Sequence, residues 1–154
     1  MEQQKPDHHD AEILLRLYDL RREEKLRAAR DWFISKFQAE SAEDAAKRYP
    51  YGTQENAYFR MVMSYWDMAA SLLNHGLIND ELFFESAGEL WVVWEKVKRI
   101  APQVRELWKN PTAHKNLEQA AQKYEEWMAR RAPEALAAGR ARMQASAAGA
   151  GEKK

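Results

Sequence analysis

Residues 54–100 constrain the fold of this chain more than any other stretch, because they predict a helical hairpin. Apolar side chains recur at helical spacing over residues 54–75, and polar side chains take the opposite positions, as in a half-buried helix. Thr53 is placed to cap this first arm, and Gly76 is placed to end it, since glycine adopts the left-handed conformation without a Cβ clash. A tight turn at 75–80 therefore joins two helical arms.

The second arm is predicted to begin after the cap Asn79, with apolar positions continuing to Val97. Its run Leu90–Trp94 is apolar on every side of the helix. Either both tryptophans of this run are covered within the chain, or a partner covers one of them. Pro102 ends the arm or starts a short successor that reaches Trp108.

The segments on either side of the hairpin also predict helices. Asp10–Ala39 contains no proline or glycine, which favours one long N-terminal helix. The charged run Arg21–Lys25 within it is interpreted as a solvated stretch of helix. The alternative is that the apolar block Ile13–Leu20 leaves the body and packs on another chain. After the hairpin, Asn110-Pro111 is typical of a helix start.

We therefore predict an all-α fold, an up-and-down bundle of four main helices with a long N-terminal helix. A flexible N-terminus is expected at 1–9 and the helical bundle domain at 10–132. Residues 133–154 are expected to form an alanine-rich, weakly ordered tail, since they carry few large apolar side chains.

Charge balance and cysteine content exclude several functional classes. The 24 basic and 24 acidic side chains give zero net charge, which argues against nucleic acid or an anionic membrane surface as a partner. The chain has no cysteine, which excludes disulfides, thiol catalysis and cysteine-ligated metals. No apolar run approaches the ~18–20 residues of a membrane span, and the polar first ten residues lack a signal-peptide core. We therefore expect no membrane span and a cytoplasmic location.

The sequence contains no catalytic motif of a helical protein. A di-iron site in a bundle needs Glu-x-x-His pairs, and neither His75 nor His114 follows a glutamate at that spacing. His-Glu-x-x-His, the P-loop and Gly-x-Gly-x-x-Gly are also absent. His8 and His9 are adjacent and so do not share a helix face. We therefore predict no catalytic residue, metal ligand or cofactor, and favour a protein that is not an enzyme.

The six tryptophans are the unusual feature of the composition. Core and interface packing is their expected role, and stacking on a flat ligand is the alternative. The residues proposed for an interface are Leu14, Leu17, Trp91 and Trp94. The residues proposed for a pocket are Tyr49, Tyr51 and Trp66.

The function favoured by these patterns is a helical protein-interaction or scaffold module that self-associates. A homodimer is the preferred assembly, because two-fold dimers are the commonest closed oligomers, and another protein is the other possible partner. The alternative function is a small-molecule-binding or catalytic helical domain with a pocket lined by tryptophan and tyrosine.

Several positions between residues 27 and 127 carry a resemblance to a known family. They are Arg60 and Tyr65 on the first arm, the turn Gly76–Leu82, Trp94 on the second arm, and the later Tyr124 with Trp127. This pattern resembles a bacterial helical family classed only as a domain of unknown function. The resemblance implies a helical fold and supplies no activity, so no site residue is carried over from it.

Overall fold

The structure, a computed structural model, describes residues 4–151 as helices joined by short turns. In this part of the chain the helices are α1 (His8–Arg21), α2 (Glu24–Lys36), α3 (Ala42–Arg48), α4 (Gln54–Asn74), α5 (Asp80–Phe84), α6 (Gly88–Val97), α7 (Ala101–Leu107), α8 (Lys115–Arg131) and α9 (Ala135–Gly151). No strand occurs between residues 4 and 151, so the all-α prediction is confirmed. Over the same residues, every helix is too short or too polar to cross a membrane.

The predicted long N-terminal helix is wrong, because the chain breaks at Arg22-Glu23 into α1 and α2. The Glu23 carboxylate accepts a hydrogen bond from the backbone amide of Leu26 (3.0 Å) and so caps α2. The Arg30 guanidinium donates to the carbonyl of Arg21 (2.8 Å), which satisfies a free acceptor at the end of α1. The charged run therefore forms a corner between two helices, and not a solvated stretch of one.

The start of α1 is tied to the turn that follows α4. Asp7 and Asp10 form a reciprocal capping box. The Asp10 carboxylate also accepts from the backbone amide of Asn79 (2.7 Å). α1 thus begins inside the segment 1–9 that was expected to be flexible, because its first turn has specific partners. Residues 1–3 lie outside the described part of the chain.

α4 follows the prediction at both of its ends. The Thr53 hydroxyl accepts from the backbone amide of Asn56 (3.3 Å), as the predicted cap. Gly76 has φ +73°, and its amide and that of Leu77 donate back to carbonyls in the last turn of α4 (3.0 Å each). This is the Schellman arrangement, which needs a left-handed residue at that position. The predictions of cap and turn are confirmed.

The predicted second arm is divided into α5 and α6, so the expectation of one continuous helix is wrong. Asn79 caps α5, as predicted, by accepting from the amide of Leu82 (2.9 Å). The helix ends at Phe84, and α6 begins at Gly88 after the short turn Glu85-Ser86-Ala87. Both phenylalanines of α5 are buried beside this break. Pro102 lies in the first turn of α7, as the predicted short successor.

α8 begins later than the predicted start at Asn110-Pro111. The Asn110 side chain accepts from both the amide (3.0 Å) and the hydroxyl (2.7 Å) of Thr112, which closes a local turn. His114 follows in a left-handed conformation (φ +57°), and the helix starts at Lys115. The buried residues of α8 recur at helical spacing and are Leu117, Ala120, Ala121 and Tyr124.

α4 lies between two other long helices of the core. It packs against α2 and α8, and α6 packs against α8 and α2. Most of the largest fully buried side chains come from these four helices, and they include Phe33, Trp66, Leu73, Leu90 and Leu117.

The alanine-rich C-terminal segment has more to bury than its composition suggested. Residues 135–151 form α9, which packs against α8, and Leu136 and Met143 contact the core. Gly139 is buried so close to Trp91 that a Cβ built there would lie 3.1 Å from the indole ring. The expectation of a tail with little to bury is therefore corrected, because small residues let the helix approach that ring.

Candidate functional site

α1 exposes an apolar face that the other described residues leave uncovered. On its inner side Leu17 is buried, and the Leu17 carbonyl accepts from the Tyr65 hydroxyl of α4 (2.5 Å), which anchors the helix. On its outer side Leu15 is 64% exposed and Leu20 is 45% exposed. Single exposed leucines are ordinary, but a contiguous exposed apolar patch indicates an interaction surface.

This face borders a groove of about 640 Å³ between α1 and α4. Met68, which is 38% exposed, and Leu72 line its α4 side. The charged residues of the lining, Glu12, Arg16 and Asp19, all belong to α1. An apolar floor with a charged rim is typical of an interface, whereas a reaction requires polar groups that converge from several elements.

A smaller cleft between α1 and the body is lined by Trp66, Tyr65 and Arg21. Its volume of about 20 Å³ has room for about one water molecule. Burial raises the pKa of Tyr65 to about 12, and its hydroxyl is already bonded to the Leu17 carbonyl. Tyr65 is therefore a neutral structural donor, and the cleft is too small for an organic ligand.

The three residues proposed for a pocket lie in different surroundings. Tyr49 packs edge-to-face on Trp32, with ring centroids 5.0 Å apart. Tyr51 is largely exposed. Trp66 is buried, and its indole N–H donates to Glu89 (3.2 Å). Neither tyrosine lines the cleft at Trp66, so the structure does not bring the three together.

Most of the residues proposed for an interface are covered within the chain. Trp91, Trp94 and Leu17 are buried, and Leu14 is half-buried. Trp91 and Trp94 are therefore both buried within the chain, and neither needs a partner to cover it. The exposed apolar residues that line the groove between α1 and α4 are instead Leu15, Leu20 and Met68. The sequence offered a signal for Leu15, since it lies off the stripe that holds Leu14 and Leu17.

One partly buried ion pair was not predicted. Arg30 of α2 donates to both carboxylate oxygens of Glu89 on α6 (2.8 and 2.7 Å). This hydrogen bonding to Glu89 raises the pKa of Arg30. The pair joins helices that are far apart in sequence, and no spacing rule connects them. Its role is to fix the corner between α1 and α2.

Two half-buried basic side chains lie beside helix ends. Burial lowers the pKa of Lys96 to about 8, and its amine donates to two carbonyls in the last turn of α2 (2.8 Å each). Burial also lowers the pKa of His114, with Arg105 acting in the same direction and Asp67 opposing. The Nε2 atom of His114 is buried and has no hydrogen-bond partner among the described residues.

The comparisons with known proteins identify a family for this chain and supply no activity. Over residues 4–151, no three or more histidine, aspartate or glutamate side chains form a cluster that could hold a metal ion. A family model described as Domain of unknown function (DUF4760) matches residues 6–124. The chain belongs to this family, which confirms the resemblance drawn from the sequence. No curated protein and no solved structure matches the chain.

Proposed function

We propose, for this member of a family of unknown function, that the chain is a helical protein-interaction module that self-associates through the groove between α1 and α4. The observation that carries the proposal is the contiguous exposure of Leu15, Leu20 and Met68 around that groove. Fully burying one such side chain is worth about 1.5–3 kcal/mol, so covering the three together favours association.

The preferred assembly is a homodimer. Because a two-fold interface uses the same patch on both copies, the groove and the ridge that fills it must both lie on one surface. The α1 surface meets this requirement, since exposed Leu15 projects from the helix that also forms one wall of the groove. A cytoplasmic location remains a prediction from the sequence.

The four-helix core expected from the sequence is part of the proposal. α2 contacts α4, α4 contacts α8, α8 contacts α6, and α6 contacts α2, so the four helices form a closed ring of neighbours. This ring supports an up-and-down bundle as the rigid body that presents α1.

The experiment is size-exclusion chromatography with light scattering on the full chain at tens of micromolar. The wild type is expected to be a dimer and Leu15→Glu a monomer with unchanged helical circular dichroism. Leu107→Glu is the matched control, because Leu107 is 68% exposed at the end of α7, away from the groove. Leu17 and Trp91 are unsuitable targets, since a charge at a buried position tests folding and not assembly.

A monomeric wild type at these concentrations would contradict the proposal. Equal loss of the dimer in Leu15→Glu and Leu107→Glu would also contradict it, because the effect would then not belong to the α1 groove.

A further inference from the structure

We infer that the second copy packs antiparallel along α1, with Arg16 of each copy paired to Asp19 of the other about a two-fold axis between Leu17 and Tyr18. The inference rests on the proposed function and specifies the partner and its register. Its basis is the arrangement of charge and apolar surface on the outer face of α1.

That face carries a self-complementary stripe. Glu12, Leu15, Arg16 and Asp19 follow one another at spacings of three, one and three, so they lie on one side of the helix, and all four are exposed. Between residues 4 and 151 neither Arg16 nor Asp19 takes part in an ion pair. Both charges are therefore free to pair across an interface.

The proposed register satisfies charge and apolar surface together. About an axis between residues 17 and 18, Arg16 faces Asp19 of the other copy, because both lie equally far from the axis. For the same reason Leu15 faces Leu20, and it enters the groove that Met68 lines on the other copy. Each contact occurs twice, so two ion pairs lie next to the axis and two apolar contacts lie outside them. Glu12 then lies opposite Glu23 of the other copy, at the corner where α1 has ended. These are like charges, and the Glu23 carboxylate there accepts from the Leu26 amide.

A second antiparallel register also pairs opposite charges and is disfavoured by the leucines. Centred on Leu14, it would set Arg16 against Glu12 of the other copy. Leu20 would then lie opposite exposed His8, and its apolar surface would stay in water. The register through Asp19 buries both exposed leucines of α1, which decides between the two.

Charge-swap variants of the full chain test this register. Arg16→Glu alone places like charges at both pairs, and so does Asp19→Arg alone. Each is expected to raise the dimer dissociation constant on the order of tenfold, since two exposed pairs turn from attractive to repulsive. An equimolar mixture of the two variants restores both pairs in a heterodimer, which native mass spectrometry identifies by its mass. Circular dichroism checks that each variant keeps the wild-type helix content.

The matched control mixes Arg16→Glu with Glu12→Arg, which restores both pairs only in the register centred on Leu14. A heterodimer in the Asp19→Arg mixture and none in the control supports the inference. A heterodimer in the control mixture alone overturns the register. A third outcome is that the wild type is a dimer, that Leu15→Glu dissociates it, and that neither mixture forms a heterodimer. The antiparallel pairing then fails, and the proposed function stands. A monomeric wild type would contradict both the antiparallel pairing and the proposed function.

Discussion

Leucine substitution at two glycines of α9 tests whether this helix is docked on the body. Gly139 faces Trp91, and a Cβ there would lie 3.1 and 3.3 Å from atoms of the indole ring. Gly149 belongs to the same helix and has nothing within 4 Å of a Cβ. The two substitutions are therefore similar in the helix propensity that they add, and they differ in whether the new side chain contacts the body.

The two substitutions should shift stability in opposite directions. Replacing glycine by leucine inside a helix gains about 0.8–1 kcal/mol at either position. At Gly139 the new side chain also meets the rigid ring of Trp91, and overpacking of that kind costs about 1–3 kcal/mol. The displaced helix would further loosen Arg140, whose guanidinium donates to Glu95 (3.0 Å) and Glu125 (2.7 Å).

The electrostatic contacts of Arg140 add to the expected loss. Although burial raises the pKa of Glu95, hydrogen bonds from Arg140 and Lys98 bring it below its usual 4.5. Arg140 also lies over the Trp91 ring, 5.4 Å from its centroid, in a cation–π contact worth about 0.5–1 kcal/mol. Undocking would leave a half-buried Glu95 with one partner fewer.

Urea denaturation and hydrogen exchange measure the outcome. Gly149→Leu is expected to raise the free energy of unfolding slightly. Gly139→Leu is expected to lie about 1–3 kcal/mol below it and to lose amide protection in α9, while α4 and α8 keep theirs. If the two variants are equally stable and α9 stays equally protected, the helix is not packed on Trp91, and the sequence-based expectation of a loose tail would be correct after all.

Two further predictions concern single residues. Gly76→Ala should cost on the order of 1 kcal/mol in a thermal melt, because φ is +73° while the site has open space, so an unchanged melting temperature would refute the left-handed turn. His114→Asn tolerates the same positive φ and removes a group whose folded pKa lies below its ordinary 6.5. Because His114 is protonated at a lower pH in the native state than in the unfolded state, the free energy of unfolding of the wild type should fall as the pH drops below about 6.5. His114→Asn should show a shallower fall in acid denaturation.

Local signals predicted the parts of the fold that depend on neighbouring residues. Thr53, Gly76 and Asn79 act where the sequence placed them, because a cap or a left-handed turn involves groups within a few positions. The break at Arg22-Glu23 was harder to predict, since no proline or glycine marks it. Its corner is stabilised by Arg30, which is itself held by Glu89 on another helix.

The candidate site could be predicted only in outline. The sequence analysis gave packing of residues 13–20 on another chain only as an alternative. It proposed for that contact Leu14 and Leu17, which belong to the apolar stripe that an amphipathic helix turns toward its own core. Both are at least half-buried, and the exposed leucine is Leu15. Periodicity predicts which side of a helix is apolar. The only sequence signal for an exposed apolar residue such as Leu15 is its position off that stripe.

The apolar surfaces around Trp91 and Leu15 differ in what covers them. Trp91 is covered by α9, which begins after the residues matched by the family model. Leu15 lies on α1, inside the matched residues, and the described chain supplies no helix over it. If association follows from uncovered apolar surface, disturbing α9 at Gly139 should expose Trp91 without changing the pairing of α1. A Gly139→Leu variant that stays dimeric while losing protection in α9 would support that separation, and one that becomes monomeric would place the dimer contact at α9.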